Sequence, residues 1–120
     1  MGPPPVTRGT VVLVRFPFSD LSASKRRPAI VLADAGRGDH VLVQLTSKPY
    51  ADDRAVEITP ASFERGELGL TSYARPGKLF TANDTLIARD IGLLTSAACD
   101  ELTEAVVTLL RGQTGGAQTE

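Results

Sequence analysis

Apolar residues in this chain fall in short, β-branched runs broken by turn formers, until a last stretch where they recur every three or four positions. The first run, Thr10-Val11-Val12-Leu13-Val14-Arg15-Phe16, has no helical period and predicts a strand that Pro17 ends. The second, Arg27 to about Ala33, is apolar at every position after Pro28 and predicts a strand buried on both faces. Asp34-Ala35-Gly36-Arg37-Gly38-Asp39 is dense in turn formers and predicts a hairpin into a third strand, His40 to Thr46. Antiparallel pairing through that hairpin returns the end of the third strand to the start of the second, so Arg27 and Thr46 are expected as neighbours at one sheet edge. Arg54-Ala55-Val56-Glu57-Ile58 alternates as a half-exposed fourth strand. Thr59 to Gly66 carries the signals of one or two helical turns, with Thr59 as cap, Pro60 at the first position and Gly66 as stop. Leu70 to Arg75 and Lys78 to Thr81 predict short strands separated by Pro76-Gly77, with a final short strand from Asp84 to Ile87.

The helical stretch starts near Thr95 or Ser96 and ends at Arg111, where Gly112 is placed to stop it. Cys99, Leu102, Val106 and Leu109 form one apolar stripe, so this helix packs on the sheet as scaffold. The sum is a mainly β, α+β domain: a small, mostly antiparallel SH3-like barrel with a long C-terminal helix. Residues 1–8 are Pro-rich and expected as a flexible arm, 9–112 as the single domain, and 113–120 as a flexible tail.

Composition narrows the chemistry. With one cysteine, Cys99, and one histidine, His40, the chain has neither a disulfide framework, nor ligand-spaced zinc residues, nor a histidine pair for acid–base catalysis, and no Gly-rich phosphate loop precedes a helix. His40 opens a strand beside a hairpin and is expected at the surface, and the carboxylates Asp52 and Asp53 are expected to be solvated. Neither a metal nor a cofactor is implied. No apolar run approaches the ~18 residues of a membrane span and no signal-peptide core is present, which suits a cytoplasmic protein. The net charge of −1 conceals an asymmetry, +4 over residues 1–50 and −5 over 51–120. A polyanion would meet a local patch, unless the two halves interleave in the fold and disperse it.

The densest cationic stretch is Lys25-Arg26-Arg27, running into Pro28-Ala29-Ile30-Val31-Leu32. Pro28 gives no N–H to a ladder and suits the first residue of a strand, while the residue before a proline is pushed to extended geometry, which fixes the backbone of Arg27. A cation at the mouth of a buried strand is positioned for phosphate. Three consecutive basic residues also suit a solvated turn, and the octet alone leaves both open.

Together with Arg8-Gly9-Thr10-Val11-Val12-Leu13-Val14 and Phe16-Pro17-Phe18, this octet resembles the opening of the MazF/PemK toxins of type II toxin–antitoxin systems. The resemblance continues through Leu45-Thr46-Ser47, Ile58-Thr59-Pro60 and Leu70-Thr71-Ser72-Tyr73-Ala74-Arg75-Pro76-Gly77-Lys78-Leu79, so that it covers residues 8 to about 111. It implies a homodimeric, metal-independent endoribonuclease of the mRNA interferase type, cutting single-stranded RNA at a short motif and neutralised by a cognate antitoxin. Operator DNA would be bound only by the toxin–antitoxin complex. The positions matching the family's catalytic arginine and threonine are Arg27 and Thr46. Attack by the ribose 2′-hydroxyl would leave a 2′,3′-cyclic phosphate and a 5′-hydroxyl, with Arg27 as electrostatic clamp and Thr46 donating to the phosphate or orienting Arg27.

Lys25, Arg26, Ser47, Lys48, Arg75 and Lys78 are candidates for tracking the RNA backbone, and Phe18 or Tyr50 for stacking a base. The loop from Phe18 to Ser24 is the candidate for sequence selectivity. Two residues depart from the family pattern near the expected site, Thr10 for an acidic residue and Arg15 for an acidic or polar one; they would tune specificity or weaken the enzyme. Two other functions fit the same fold: a non-catalytic toxin that poisons DNA gyrase through its C-terminal helix and a dimer surface, and a degenerate member that only binds antitoxin or regulatory DNA.

Overall fold

The computed structural model describes residues 6–16, 25–49 and 52–113. Phe18 and Tyr50, the 18–24 loop and tail residues 114–120 lie outside these. Among the described residues the strands are β1 (Thr10–Phe16), β2 (Lys25–Gly36), β3 (Asp39–Thr46), β4 (Val56–Ile58), β5 (Phe63–Gly66), β6 (Ser72–Asn83) and β7 (Ile87–Leu94). These seven pair antiparallel in one sheet, in the order β4-β6-β3-β2-β1-β7-β5. The sheet curls into a half-barrel, and one helix, α1 (Ser96–Leu110), follows it.

Alternation along the central strands puts apolar residues on both faces. Val11, Ile30, Val43 and Leu45 join Cys99, Leu102 and Val106 of α1 in one core, while Val12, Val14, Ala29, Val31 and Leu42 form a second. Burial of side chains of this size contributes roughly 1.5–3 kcal/mol each, so the central strands are the rigid part of the molecule. The β2–β3 hairpin turns on Arg37 and Gly38, with φ of 58° and 81°, the two positive angles that a two-residue type I′ turn requires. Thr95 caps α1 by accepting from Ala98 N at 3.1 Å, and Gly112, at φ 75°, follows its end.

At the start of the domain, Val6 packs on the second core and Arg8 donates to Asp100 at 3.1 Å and to Thr103 at 2.9 Å. These bonds fasten residues 6–8 across the helix.

Several segments differ from the sequence expectation. Residues 59–66 form a 3₁₀ turn, Pro60–Ser62, and then the edge strand β5. Glycine is what permits β5 to lie against β7: a Cβ on Gly66 would overlap Ile91 O, and one on Gly92 would come 2.8 Å from the Phe63 ring. Arg65 locks the pair with two bonds to Asp90, at 3.1 and 2.8 Å, which raise the pKa of its guanidinium above the ordinary value.

Pro76-Gly77 interrupts nothing, because β6 is continuous and absorbs both in a bulge. Between the pairs Val43↔Leu79 and Leu45↔Ala74, β6 advances five residues while β3 advances two. Asp84–Leu86 is a 3₁₀ turn and not a strand, with Asn83 Oδ1 accepting from Thr85 N at 3.1 Å. The strand β7 after it was not foreseen. Its charges, Arg89 and Asp90, and its shifted register against β1 hide any alternation. Pro28 lies inside β2, opposite Leu13, although the ladder to β3 begins only at Ala29. His40 is not at the surface: it is 7% exposed, and its Nε2 meets Asp84 Oδ1 at 2.6 Å because the 3₁₀ turn folds back over the hairpin end of β3.

Candidate active site

The register that pairs Ala29 with Gln44, carried two residues further, sets Arg27 opposite Thr46. Both residues line a cleft of about 540 Å³ where the start of β2 and the end of β3 meet. Thr46 Oγ1 accepts from Lys48 N at 3.2 Å, which turns the chain out of β3 and leaves the hydroxyl proton free to donate. Ser47 and Lys48 therefore border the same cleft, and Arg75 enters from the β6 bulge. Among the described residues, Arg27, Lys48 and Arg75 are the charged groups that line it, and no carboxylate does.

Arg75 is held from behind. Its Nε lies 3.7 Å from Asp52 Oδ2, and the two side chains are only 24% and 15% exposed. Asp52 Oδ1 also accepts from Arg54 N at 2.8 Å. Asp52 is thus a partly buried anchor for a cleft cation and not the solvated carboxylate expected; Asp53, its neighbour, is exposed.

The other expected contacts separate. Arg26 is exposed but alternates away from Arg27 on β2, facing Arg15 across the β1–β2 ladder, and neither lines the cleft. Lys25 opens β2 opposite Phe16, and Lys78 is exposed on β6 outside the cleft lining. Thr10 is buried at the far end of β1, where its Oγ1 accepts from Thr7 N at 3.0 Å, so it takes no part in the cleft.

Residues the sequence reading passed over complete the walls: Gln44, two positions before Thr46 on the same strand face, and Leu68 and Leu70 opposite. Gln44 was accessible by period-2 alternation from Thr46. The leucines were not, because the loop that carries them approaches only when β5 pairs with β7 and β6 with β3.

Among the described residues no group of three or more His, Cys, Asp or Glu side chains is placed to hold a metal ion, and no helix is long and apolar enough to cross a membrane.

Comparison with known proteins gives the same outline. The model of the PemK-like, MazF-like toxins of type II toxin–antitoxin systems matches residues 7–110. Among solved structures, an endoribonuclease from a mycobacterial species superposes with a TM-score of 0.65 at 22% identity, covering 91% of this chain and 93% of that one. A mycobacterial endoribonuclease in complex with its cognate antitoxin gives 0.65 at 18% identity, covering 91% and 95%. A MazE–MazF complex from Deinococcus radiodurans gives 0.67 at 19%, covering 86% and 93%. At these identities the structures establish the shared fold. No curated protein matches the sequence.

Proposed function

Because the chain belongs to the PemK-like, MazF-like toxin family of type II toxin–antitoxin systems, we propose that it is an endoribonuclease acting on single-stranded RNA at the Arg27–Thr46 cleft. The observation that carries this is the convergence of Arg27, Thr46, Lys48 and Arg75 on one cleft that no carboxylate lines among the described residues. Such a surface accepts a phosphodiester backbone and concentrates positive charge where a phosphorane would develop.

RNA brings its own nucleophile. The 2′-oxygen forms a bond to phosphorus, the bond to the 5′-oxygen breaks, the 2′-hydroxyl gives up its proton to solvent water and the leaving oxygen takes one from it. The products are a 2′,3′-cyclic phosphate and a 5′-hydroxyl. Arg27 clamps two phosphoryl oxygens in bidentate fashion and stabilises the charge that develops on the phosphorane. Thr46 donates its free O–H to the same phosphate. Lys48 and Arg75 hold the flanking backbone and Ser47 offers a further hydroxyl. With the guanidinium and ammonium groups supplying the charge, the reaction requires no metal.

In the same reading the protein is a cytoplasmic homodimer. An acidic segment of its antitoxin covers the Lys25–Arg27 stretch and competes with RNA, and operator DNA is bound only by the complex.

Incubation with a long unstructured RNA in EDTA, beside Arg27→Ala and Thr46→Ala proteins, tests the proposal. Discrete cuts ending in cyclic phosphate, abolished by Arg27→Ala, are expected. RNA left whole across many sequences would overturn it and turn attention to gyrase and antitoxin binding.

A further inference from the structure

Beside the cationic cleft, and sharing Leu68 and Leu70 with it as a common wall, lies a second pocket of about 220 Å³. Phe63 and Pro60 form its apolar side, and Thr59, Thr71 and Glu67 supply its polar groups. Phe63 is held in place from below. Its ring sits so close over Gly92 that an added Cβ there would stand 2.8 Å from it, and it packs on the main core. Gly69, at φ 87°, turns the chain between the two leucines, and Leu70 is 61% exposed, so its side chain is open to a ligand at the pocket rim. Glu67 makes no hydrogen bond or ion pair among the described residues.

The pocket is smaller than the ~300 Å³ at which drug-sized ligand sites begin, and so suits a single planar ring system. Its electrostatics are the reverse of the cleft's: the Glu67 carboxylate rejects phosphate, while an aromatic and aliphatic lining favours a base. An RNA strand with its backbone in the cleft therefore has one place beside it where a base gains and a phosphate loses.

We propose that this pocket, bounded by Phe63, Leu68 and Leu70, receives a nucleobase next to the cleaved phosphate and that Glu67 selects guanine there. This rests on the endoribonuclease reading of the cleft and extends it to sequence choice. A carboxylate only accepts hydrogen bonds. Guanine alone offers two adjacent donors on its Watson–Crick edge, N1–H and the 2-amino group, and so matches both oxygens of Glu67 in a charge-assisted pair. Adenine and cytosine set a repelling ring nitrogen beside their single amino group. Uracil flanks its one donor with two carbonyls.

The test is cut-site sequencing on a randomised RNA with the wild-type protein, Glu67→Gln and Leu70→Ala; residues 67 and 70 are exposed, so both variants are expected to fold. The wild-type motif is expected to contain one position dominated by guanine. Glu67→Gln should lower that preference about tenfold or more, the scale of one bidentate base contact, while preferences elsewhere in the motif persist. Leu70→Ala should flatten the same position. Cutting with a profile that neither variant alters, a shift spread equally over all positions, or a Glu67-dependent position that favours uracil would each overturn the pocket while leaving the ribonuclease standing. A wild-type protein that cuts no RNA would bring down both.

Discussion

Arg75 and Asp52 form a partly buried ion pair, Nε to Oδ2 3.7 Å, in which only the cation lines the cleft. The carboxylate sits behind it and fixes where the guanidinium points, so Asp52 is a positioning residue. Asp52→Ala makes the region more positive, which by itself would favour RNA, but it removes a contact that orients Arg75. We expect the loss of this orienting contact to win, with RNA cleavage falling by up to roughly fivefold, the value of about 1 kcal/mol for a pair shielded in this way. In an Arg75→Ala background the same substitution should change nothing further, and that double-mutant cycle is the measurement. Additive losses would mean that Asp52 acts elsewhere.

Arg27→Lys keeps the charge and removes the fork that grips two oxygens. Cleavage is expected to drop about 100-fold, in line with the loss of one donor to a developing oxyanion. RNA affinity, measured by fluorescence anisotropy, should stay within a few fold. An equal loss in both would assign Arg27 to binding alone.

Gly92→Ala places a methyl group 2.8 Å from the Phe63 ring and 2.9 Å from Arg65 O, the second of which is backbone and cannot rotate aside. Overpacking of this kind costs about 1–3 kcal/mol. The urea midpoint should fall accordingly, and hydrogen exchange should show the loss concentrated in β5 and the adjoining part of β7. A midpoint equal to wild type would show that the edge strand gives way freely.

Cys99 is 3% exposed at the interface of α1 and the sheet, and burial pushes its thiol pKa up. Raising a thiol's pKa keeps the unreactive protonated form present to higher pH than in a free cysteine. The native protein is therefore expected to resist a thiol-specific chromogenic reagent at pH 8, where the urea-unfolded chain reacts within minutes. Rapid labelling of the native state would place the thiol outside the core.

The sequence by itself determined what depends on local pattern. The β-branched run of residues 10–16 formed β1, the continuous apolar run of β2 lies in two cores, the turn formers of residues 34–39 made the β2–β3 hairpin with Gly38 at the positive φ it suits, and the stripe on α1 packs on the sheet. From those local facts it also followed that the start of β2 and the end of β3 meet, but not their exact register: counted from the turn, Arg27 would face Lys48, and two register shifts along the β2–β3 ladder bring Thr46 opposite it instead.

Only the tertiary structure decided what depends on partners distant in the chain. Residues 63–66 became a strand because Gly66 and Gly92 let two backbones close together, and Pro76 stayed within β6 because β3 holds the ladder on either side of the bulge. His40 was buried by a turn 44 residues away, Asp52 was recruited by Arg75, and Leu68 and Leu70 reached the cleft on a loop whose own residues carry no sign of it. Propensity acts within a few residues, whereas these outcomes are set by pairing and burial energies that exist only once the sheet has closed.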